Sequence, residues 1–436
     1  MLLTGTVVAE ADTVIQEGGV VVSGRTIAAV GDGDRLREQY PDHQERQFDV
    51  VTPGLVGGHV HSVQSLGRGI ADDTALLAWL FDYVLPMEAS LTADDMEVAA
   101  RLGYLELIEN GTTTAIDHLS VNHADRAIEA AGEMGVRSRL GKVLMDQRSP
   151  DGLTEDTDAA LAESERLIER YHGAYDDRIR YALTPRFALT CSEACLRGVR
   201  ELADAHDGVR IHTHASENRS EIETVEQDTG RRNIHWLDEV GLTGEDVVLA
   251  HCVWTEESER DVLADTGTHV VHCPSSNMKL ASGIAPIADY LDRGVNVALG
   301  NDGAPCNNTL DPFTEMRQAS LLGKVDALDP TTTPAETVFE MATINGARAA
   351  GFDRLGKLRE GWTADIIGIR TDGVTRATPL HDVLSHLVYS AHGDDVTFTM
   401  VDGNVLMDGG EVTVTDASAI RNAAQEVDAL PSRESS

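Results

Sequence analysis

Aromatic residues and lysine are scarce in this chain of 436 residues. Phe, Trp and Tyr together make up 4% of the sequence, so aliphatic side chains and alanine have to fill most of the core. Among 35 basic residues there are four lysines, namely Lys142, Lys279, Lys324 and Lys357. Arginine therefore carries most of the positive charge.

Lysine and arginine together are also few compared with the acidic residues. The chain has 73 Asp and Glu residues, spread along its whole length, and its formal net charge is −38. A nucleic-acid partner is excluded by this balance, because phosphate contacts need clustered cations, and an anionic membrane surface is excluded for the same reason. A dispersed acidic excess with little lysine is typical of proteins from halophiles, where concentrated salt screens the repulsion.

Cysteine and long apolar runs are also limited. The five cysteines show no spacing typical of a disulfide framework or a Cys-rich zinc site. The first ten residues lack the basic start and apolar run of a signal peptide, and no stretch approaches the roughly 18 apolar residues of a membrane-spanning helix. These absences predict a soluble, cytoplasmic protein with no membrane partner.

Both ends of the chain contain short β-prone runs separated by Gly and Asp. The predicted strands are Thr13–Ile15, Gly19–Ser23, Thr26–Val30, Asp365–Ile369, Thr397–Val401, Asn404–Met407 and Glu411–Val414. They predict one small β-sandwich domain built from residues 1–52 and 360–420. Residues 421–436 are predicted to form an acidic tail that is helical or frayed.

The middle of the chain, residues 53–359, alternates apolar runs with amphipathic stretches. The predicted strands are Gly54–Val60, Thr113–Ile116, Arg139–Leu144, Ile179–Leu183, Val209–Thr213, Val247–Ala250, His269–His272 and Val295–Leu299. The predicted helices are Ala93–Glu109, His123–Met134, Asp158–Tyr171, Ser192–Ala205, Ser220–Asp228, Glu257–Ala264 and Pro286–Asp292. Eight such strands predict an α/β fold with a parallel (β/α)8 TIM-like barrel. A doubly wound open sheet is the alternative, disfavoured because no Gly-rich phosphate turn follows the first strand.

Polar side chains fall at the ends of several of these strands. They are His59 and His61 on the first strand, His214 on the fifth, His251 on the sixth and Asp302 after the eighth. Because His59 and His61 are two residues apart on a strand, both point to the same side. Strand ends that meet at the functional face of a barrel bring such residues together.

Three histidines and a carboxylate, with water, suit a hydrolytic zinc site. The metal would lower the pKa of the bound water towards neutrality. Asp302 would accept a proton from that water, Glu217 would pass one to the leaving side, and His251 would stabilise the developing alkoxide. His212, one layer deeper than His214, is interpreted as a core histidine or a support for the ligands.

The same residues, in this order, resemble the amidohydrolase superfamily. Further motifs fit its pattern: Gly69–Asp73, Trp79–Glu88, Gly111–Thr114, His272–Asn277 and Gly356–Asp365. The resemblance covers nearly the whole chain and is to the branch that contains nucleoside deaminases and triazine hydrolases.

The resemblance implies a set of site residues. His59, His61, His214 and Asp302 would bind one divalent metal ion, zinc in preference to iron, and Glu217 would protonate the ring nitrogen next to the attacked carbon. Two-metal members of the superfamily bridge their ions with a lysine on the fourth strand. Residues 179–187 contain no lysine, so one metal is expected.

Two residues bear on the substrate. Glu88 matches the carboxylate that holds the ribose hydroxyls in methylthioadenosine/S-adenosylhomocysteine deaminases. Those enzymes usually carry Pro-His at the tip of the fourth strand, whereas Thr184–Phe187 here resembles guanine deaminases. Arg186 in this segment is predicted to contact either the substrate or an acidic neighbour, and the role of Arg148 is left open.

The resemblance predicts a deaminase that hydrolyses the exocyclic amine of an adenosine-type nucleoside and releases ammonia. Candidate substrates are 5′-deoxyadenosine, methylthioadenosine and S-adenosylhomocysteine, and purine salvage is the expected setting. Guanine deamination and s-triazine hydrolysis are the enzymatic alternatives. A non-catalytic barrel scaffold is the alternative of another class, although such relatives usually lose ligands and none is missing here. We also expect a homo-oligomer.

Overall fold

The computed structural model describes residues 1–427, which form two sheets and the helices around them. The strands are β1 (Leu2–Glu10), β2 (Thr13–Ser23), β3 (Thr26–Asp32), β4 (Glu45–Pro53), β5 (Leu55–His61), β6 (Thr112–His118), β7 (Arg137–Gly141), β8 (Val143–Leu144), β9 (Ile179–Pro185), β10 (Arg210–Ala215), β11 (Val247–His251), β12 (His269–His272), β13 (Val297–Leu299), β14 (Asp302–Gly303), β15 (Ile366–Ile369), β16 (Val396–Val401), β17 (Asn404–Asp408) and β18 (Glu411–Val412).

Helices occupy most of the sequence between the strands. They are α1 (Gly33–Gln39), α2 (Leu76–Trp79), α3 (Leu85–Ser90), α4 (Ala93–Glu109), α5 (Ala124–Met134), α6 (Thr157–Tyr171), α7 (Ala174–Asp177), α8 (Glu193–Ala205), α9 (Arg219–Thr229), α10 (Asn233–Glu239), α11 (Glu257–Thr266), α12 (Pro274–Lys279), α13 (Ile287–Asp292), α14 (Ala304–Asn307), α15 (Pro312–Ala327), α16 (Ala335–Met341), α17 (Ile344–Ala350), α18 (Val383–Tyr389) and α19 (Ala417–Glu426). Short 3₁₀ helices lie at Ser62–Gly67, Thr375–Ala377 and Gly393–Asp395, and a π-helical turn, Leu80–Val84, joins α2 to α3.

The larger sheet is a parallel barrel that runs in chain order from β5 to β13. Its closing strand has two parts, because β13 continues after two residues into β14, which pairs with β5. Gly300 lies in the break, where a Cβ atom would come within 2.9 Å of the backbone of His59. A residue without a side chain therefore lets the last strand approach the first.

The smaller sheet joins both termini, with strand order β18-β17-β16-β15-β4-β1-β2-β3. Its apolar core draws on both ends of the chain, for example Val7 and Val20 together with Phe398 and Met400. The predicted fold class, a (β/α)8 barrel with a β-sandwich assembled from both termini, is confirmed.

The N-terminal prediction differs from the structure in three ways. Strands β1 and β4 were not predicted, and the two short runs from residue 13 to residue 23 form the single strand β2. Residues 33–39 form a helix rather than a strand, because the Asp32 side chain caps the backbone of Arg35 and Leu36 packs against β2. These strands form because β1 pairs with both β2 and β4, and such pairing cannot be recognised from local composition.

In the barrel region the predicted elements shift by a few residues. The predicted strand Arg139–Leu144 is interrupted at Lys142, which separates β7 from β8. Other strands and helices keep their places with ends moved by up to two residues, and Ala93–Glu109 has the predicted bounds. The helices from α14 to α18 lie in sequence for which no element had been predicted.

A cluster of arginines closes the end of the barrel opposite to the site. Arg139, Arg180 and Arg210 rise from three neighbouring strands and donate to the carbonyl groups at the end of α17, while Phe352 lies against the first two. The pairs are Arg210 with Ala349, Arg139 with Ala350 and Arg180 with Gly351. These donors satisfy carbonyl groups that have no partner within the helix.

Membrane-spanning helices and disulfide bonds can both be looked for in the described residues. Within residues 1–427, none of the helices combines the length and apolar character that crossing a bilayer requires. All five cysteines are buried and free. Helix α19 covers the start of the predicted acidic tail, and the rest of that tail, residues 428–436, lies outside the described residues.

Candidate active site

Three histidines and one aspartate converge at the rim formed by the carboxyl ends of the barrel strands. His59 and His61 come from β5, His214 from β10 and Asp302 from β14. One possible ligand atom from each lies within 4.8 Å of every other, and all four side chains are buried. The β14–β5 pairing places Asp302 beside Val60, between the two histidines of β5.

The spacing of these atoms suits a metal ion. The Nε2 atom of His61 is 3.2 Å from Nε2 of His214 and 3.4 Å from Oδ1 of Asp302, and Nε2 of His59 is also 3.4 Å from that oxygen. A tetrahedral ion with bonds of about 2.1 Å holds its ligand atoms about 3.4 Å apart. Without a cation, lone pairs this close repel each other. The donor set therefore fits one divalent metal.

The other ring nitrogen of each histidine is occupied by a different acceptor. The pairs are His61 Nδ1 with the carbonyl of His118 at 2.7 Å, His214 Nδ1 with the carbonyl of Arg186 at 2.7 Å, and His59 Nδ1 with Nε2 of His212 at 3.0 Å. Such contacts fix the tautomer and leave Nε2 free for a metal. Burial lowers the pKa of all three ligand histidines, so the neutral form that binds metals is favoured.

Asp302 is held as a carboxylate. Its Oδ1 faces the histidines, and its Oδ2 accepts a hydrogen bond of 2.7 Å from the hydroxyl of Ser276. Burial alone would raise the pKa of Asp302, but the neighbouring imidazoles of His59, His251 and His61 hold it well below its usual value. Asp302 can therefore bind a metal and take up a proton at the same site.

His251 and Glu217 form a second pair on the cavity side of the ligands. Nε2 of His251 lies 3.7 Å from Oε2 of Glu217 and 3.7 Å from Oδ2 of Asp302. Burial raises the pKa of Glu217 to about 7, which gives a proton donor near neutrality. Burial tends to lower the pKa of His251, but the Glu217 and Asp302 carboxylates outweigh it and raise that pKa. Asn277 Oδ1, 2.9 Å from Nδ1, fixes the His251 ring.

The backbone around these residues is strained. Ser216, His251, Cys252 and Asp302 all have positive φ, with values from 45° to 71°. Residues other than glycine rarely adopt this conformation, and it clusters at active sites where the fold holds catalytic groups in place. Here it turns the chain sharply just after β10 and β11 and at the start of β14.

A small cavity opens onto this group. Its polar wall consists of His61, His214, Glu217, His251 and Asp302, with Arg186 beside them. Its other wall is apolar and consists of Leu76, Trp79, Leu80 and Phe187. A heterocycle entering this space would meet the ligand group at one end and apolar side chains at the other.

The sequence profile of the Amidohydrolase family matches residues 50–406, and a bacterial imidazolonepropionase-like composite domain matches residues 18–42. The chain belongs to the amidohydrolase family. Among its relatives is a 5′-deoxyadenosine deaminase of Methanothermobacter thermautotrophicus, 43% identical over 98% of this chain and 97% of that protein.

One further relative and one solved structure are similar to almost the whole chain of this amidohydrolase. A 5-methylthioadenosine/S-adenosylhomocysteine deaminase of Haloarcula marismortui is 41% identical over 98% of this chain and 97% of that protein. The crystal structure of a Xanthomonas campestris adenosine deaminase with bound zinc has a TM-score of 0.90 and 31% identity, and covers 97% of this chain and 96% of that one. The parallel barrel with a small sheet built from both termini is thus a fold that this chain shares with a solved deaminase.

Glu88 and Arg186, two of the three predicted substrate-binding residues of this amidohydrolase, contact each other; the third is Glu217. Nη1 of Arg186 is 3.2 Å from Oε1 of Glu88, and Gln64 and Ser120 also donate to the Glu88 carboxylate, each at 2.8 Å. Glu88 is fully buried and does not line the cavity, whereas Arg186 does. Arg186 therefore has the acidic neighbour that was one of its two predicted partners.

The sequence indicates the four candidate ligand residues but not the side chains that contact them. Ser276 and Asn277 lie in a motif that had been noted, yet nothing local indicated that they contact Asp302 and His251. Gln64 and Ser120 gave no signal. Arg148, whose role was left open, pairs with Asp228 at the surface and does not line the cavity beside the ligands.

Proposed function

We propose that this amidohydrolase is a zinc-dependent deaminase of 5′-deoxyadenosine-type nucleosides. The observation that carries the proposal is the convergence of His59, His61, His214 and Asp302 around one point, with Glu217 and His251 beside them at the wall of a cavity. Relatives with 41% to 43% identity over nearly the whole chain are deaminases of such nucleosides, which supports the same substrate class.

The proposed reaction is hydrolytic. A bound divalent metal would supply a water of lowered pKa next to the reacting carbon. The oxygen of the water adds to C6 of the purine, N1 takes up a proton, and the bond from C6 to the exocyclic amine breaks. Adenosine-type nucleoside and water thus give an inosine-type nucleoside and ammonia, with no oxidant or reductant.

Two side chains transfer protons, and a third stabilises charge. Asp302 accepts a proton from the water, since its low pKa keeps it ionised and its Oδ2 faces the cavity side, and it returns this proton to the exocyclic amine, which leaves as ammonia. Glu217 donates a proton to N1, because its pKa of about 7 leaves a large protonated fraction at neutral pH. His251, whose pKa the Glu217 and Asp302 carboxylates raise against the effect of burial, stabilises negative charge developing on the attacking oxygen.

The shape of the cavity supports a substrate with an apolar end. If C6 faces the ligand group, the opposite end of the nucleoside faces Leu76, Trp79, Leu80 and Phe187. This wall suits the methyl group of 5′-deoxyadenosine or the thioether of methylthioadenosine better than the charged amino-acid part of S-adenosylhomocysteine. We therefore expect the first two to be the better substrates.

Ammonia release tests the proposal. The purified protein is incubated in strong KCl with 5′-deoxyadenosine, methylthioadenosine, S-adenosylhomocysteine, adenosine, guanine and melamine in parallel. The expected result is the highest kcat/KM for 5′-deoxyadenosine or methylthioadenosine. A preference for guanine or melamine would replace the proposal by guanine deaminase or triazine hydrolase activity, and a protein that is inactive on all six and binds no metal would support a scaffold.

The identity of the metal is tested separately. Zinc is proposed over iron because imidazole nitrogens with a carboxylate oxygen are ligands that zinc commonly takes, and the similar Xanthomonas campestris adenosine deaminase was solved with bound zinc. Removal of the metal with a chelator should abolish activity, and added Zn²⁺ should restore it. Restoration by Fe²⁺ but not by Zn²⁺ would contradict the choice of metal and leave the reaction unchanged.

A further inference from the structure

One of the three ligand histidines is supported differently from the other two. For His61 and His214 the acceptor at Nδ1 is a backbone carbonyl, which no substitution removes. For His59 it is the side chain of His212, with a separation of 3.0 Å between Nδ1 and Nε2. Among these three supports, His212 is therefore the one that mutation can take away without moving the main chain.

The contact determines where the hydrogen atoms lie on both rings. Nε2 of His59 faces Asp302 and has no hydrogen-bond partner among the described residues, so it is the nitrogen that meets a metal through its lone pair. The hydrogen of His59 then sits on Nδ1 and is donated to Nε2 of His212. His212 accepts only as the tautomer with its own hydrogen on Nδ1. Both rings are fully buried, so water cannot substitute for this contact.

Strand β10 gives His212 its position. His212 precedes His214 by two residues, and both project to the same side of the strand. One strand therefore carries a ligand and, one layer deeper in the barrel, the support for a ligand on β5. The rings of His59 and His212 lie nearly perpendicular, at 82°, with centroids 4.9 Å apart, so they are not stacked face to face and an edge-on N–H···N contact is possible.

We propose that His212 is a positioning residue of the metal site. By accepting the Nδ1 hydrogen it fixes the orientation of the His59 ring and raises the basicity of the nitrogen that faces the metal. The inference rests on the proposed metal site, and it predicts that metal affinity depends on an acceptor at residue 212 even though residue 212 does not touch the metal.

Zinc affinity is the direct readout. Metal-free wild type, His212→Leu and His212→Gln are titrated with Zn²⁺ in competition with a chromophoric chelator. Leucine is apolar and of similar size, whereas glutamine places an oxygen acceptor at about the reach of Nε2. His272→Leu is the matched control, because His272 is also buried, lies on β12, two strands away from β10, and shares no hydrogen bond or ring contact with the four candidate ligands in the described structure.

The expected result is a loss of zinc affinity of about 10- to 100-fold in His212→Leu, recovery to within about threefold of wild type in His212→Gln, and wild-type affinity in His272→Leu. Wild-type affinity in His212→Leu would overturn the inference. So would equal losses in His212→Leu and His212→Gln, or in His212→Leu and His272→Leu, since core packing would then explain them.

One further measurement and one replacement variant keep the outcome unambiguous. Thermal unfolding of the metal-free proteins shows whether each variant folds. Should His212→Leu fail to fold, His212→Asn takes its place, because its oxygen is one bond too short, and it must bind zinc more weakly than His212→Gln for the inference to stand. If wild type binds neither Zn²⁺ nor Fe²⁺, the proposed function itself fails, which is distinct from variants that bind as wild type does.

Discussion

Glu217 carries the proton that the proposed reaction delivers to the purine ring, and its replacement by glutamine tests that role. Glu217→Gln keeps the size of the side chain but has no proton to transfer. We expect kcat on 5′-deoxyadenosine to fall by about 10²- to 10⁴-fold. Bound zinc should be unchanged, because Glu217 is not among the four ligand residues. Steady-state kinetics and metal analysis measure the two effects.

Glu259 offers a matched control for this change. It is also a fully buried carboxylate, but it pairs with Arg232 and does not line the cavity. Glu259→Gln should keep kcat within a few fold of wild type. A Glu217→Gln enzyme that remains as active as the control would remove Glu217 from the mechanism.

Replacement of Glu88 by glutamine tests whether the substrate carries a ribose. Glu88→Gln should lower kcat/KM for 5′-deoxyadenosine at least about tenfold more than kcat/KM for free adenine, because a carboxylate accepts two vicinal hydroxyls and an amide does not. In the structure the ribose would have to reach Glu88 in place of Arg186. Equal losses on both substrates would mean that Glu88 serves only to hold Arg186.

At the scale of single residues, the sequence allowed the four candidate ligands to be selected but not the contacts that support them. His59 and His61 stand out because their spacing has meaning on a strand. The partners of Glu88 are 24, 32 and 98 residues away along the chain. A contact of this kind is set by how the barrel closes, and no local pattern encodes it.

Helix α15 is tied to the site through one buried carboxylate. Glu315 accepts hydrogen bonds from the backbone of Ser275 at 3.1 Å and from Asn307 at 2.8 Å, and so links α15 to α12 and α14. Burial raises its pKa to about 7, from 4.5 for an ordinary Glu. Between these two values the folded state holds a proton that the unfolded state has lost, so stability falls as the pH rises.

Glu315→Gln removes this titration. The free energy of unfolding of wild type, minus that of the variant, should decrease by about 3 kcal/mol as the pH rises from 4.5 to 8. Urea unfolding at constant KCl, followed across this range, gives the difference. A difference that stays constant, or that grows with pH, would show that Glu315 is ionised in the folded protein throughout.

The closed end of the barrel depends on one aromatic ring. Three guanidinium groups lie over Phe352, at 4.6 Å for Arg180, 5.2 Å for Arg137 and 5.8 Å for Arg139. Phe352→Leu keeps much of the apolar volume but loses the cation–π contacts, and should cost about 1–2 kcal/mol. Phe352→Ala should cost about 3–5 kcal/mol, because it also leaves a cavity. Chemical unfolding measures both.

Phe398 provides the comparison, since its neighbouring ring is Phe48, 5.0 Å away, rather than a cation. Lowering the salt concentration should change the effect of Phe352→Leu and leave that of Phe398→Leu unaltered. Two identical responses would mean that Phe352 contributes through packing alone.

Elements with a strong internal period were predictable, and those defined by their neighbours were not. Helix α4 has its predicted bounds because Thr92 and Asp95 form a capping box at its start. Strand β4 escaped prediction, since polar residues occupy its first half and its pairing with β1 involves residues more than 40 positions away. Helix α17 is short, and arginines from three barrel strands donate hydrogen bonds to the carbonyl groups at its end.

The whole molecule carries a charge that opposes its own folding in dilute buffer. With a net charge of −38, repulsion among exposed carboxylates should be strong until salt shortens its range, from about 10 Å at 0.1 M to about 3 Å at 1 M. The midpoint of thermal unfolding should therefore rise steeply between these concentrations. KCl and NaCl should act alike, because screening depends on ionic strength. A midpoint that does not respond to salt would contradict the halophilic interpretation of the composition.

The break between β13 and β14 places the last ligand on the strand that closes the barrel, in register with Val60 on the first. A bound ion would join residues 59 and 61 to residue 302 across that seam. During synthesis, a growing chain would possess only histidine ligands until the eighth strand emerged from the ribosome. The ligand set would then be completed only when the barrel closes, and chains truncated before residue 302 would lack its carboxylate ligand.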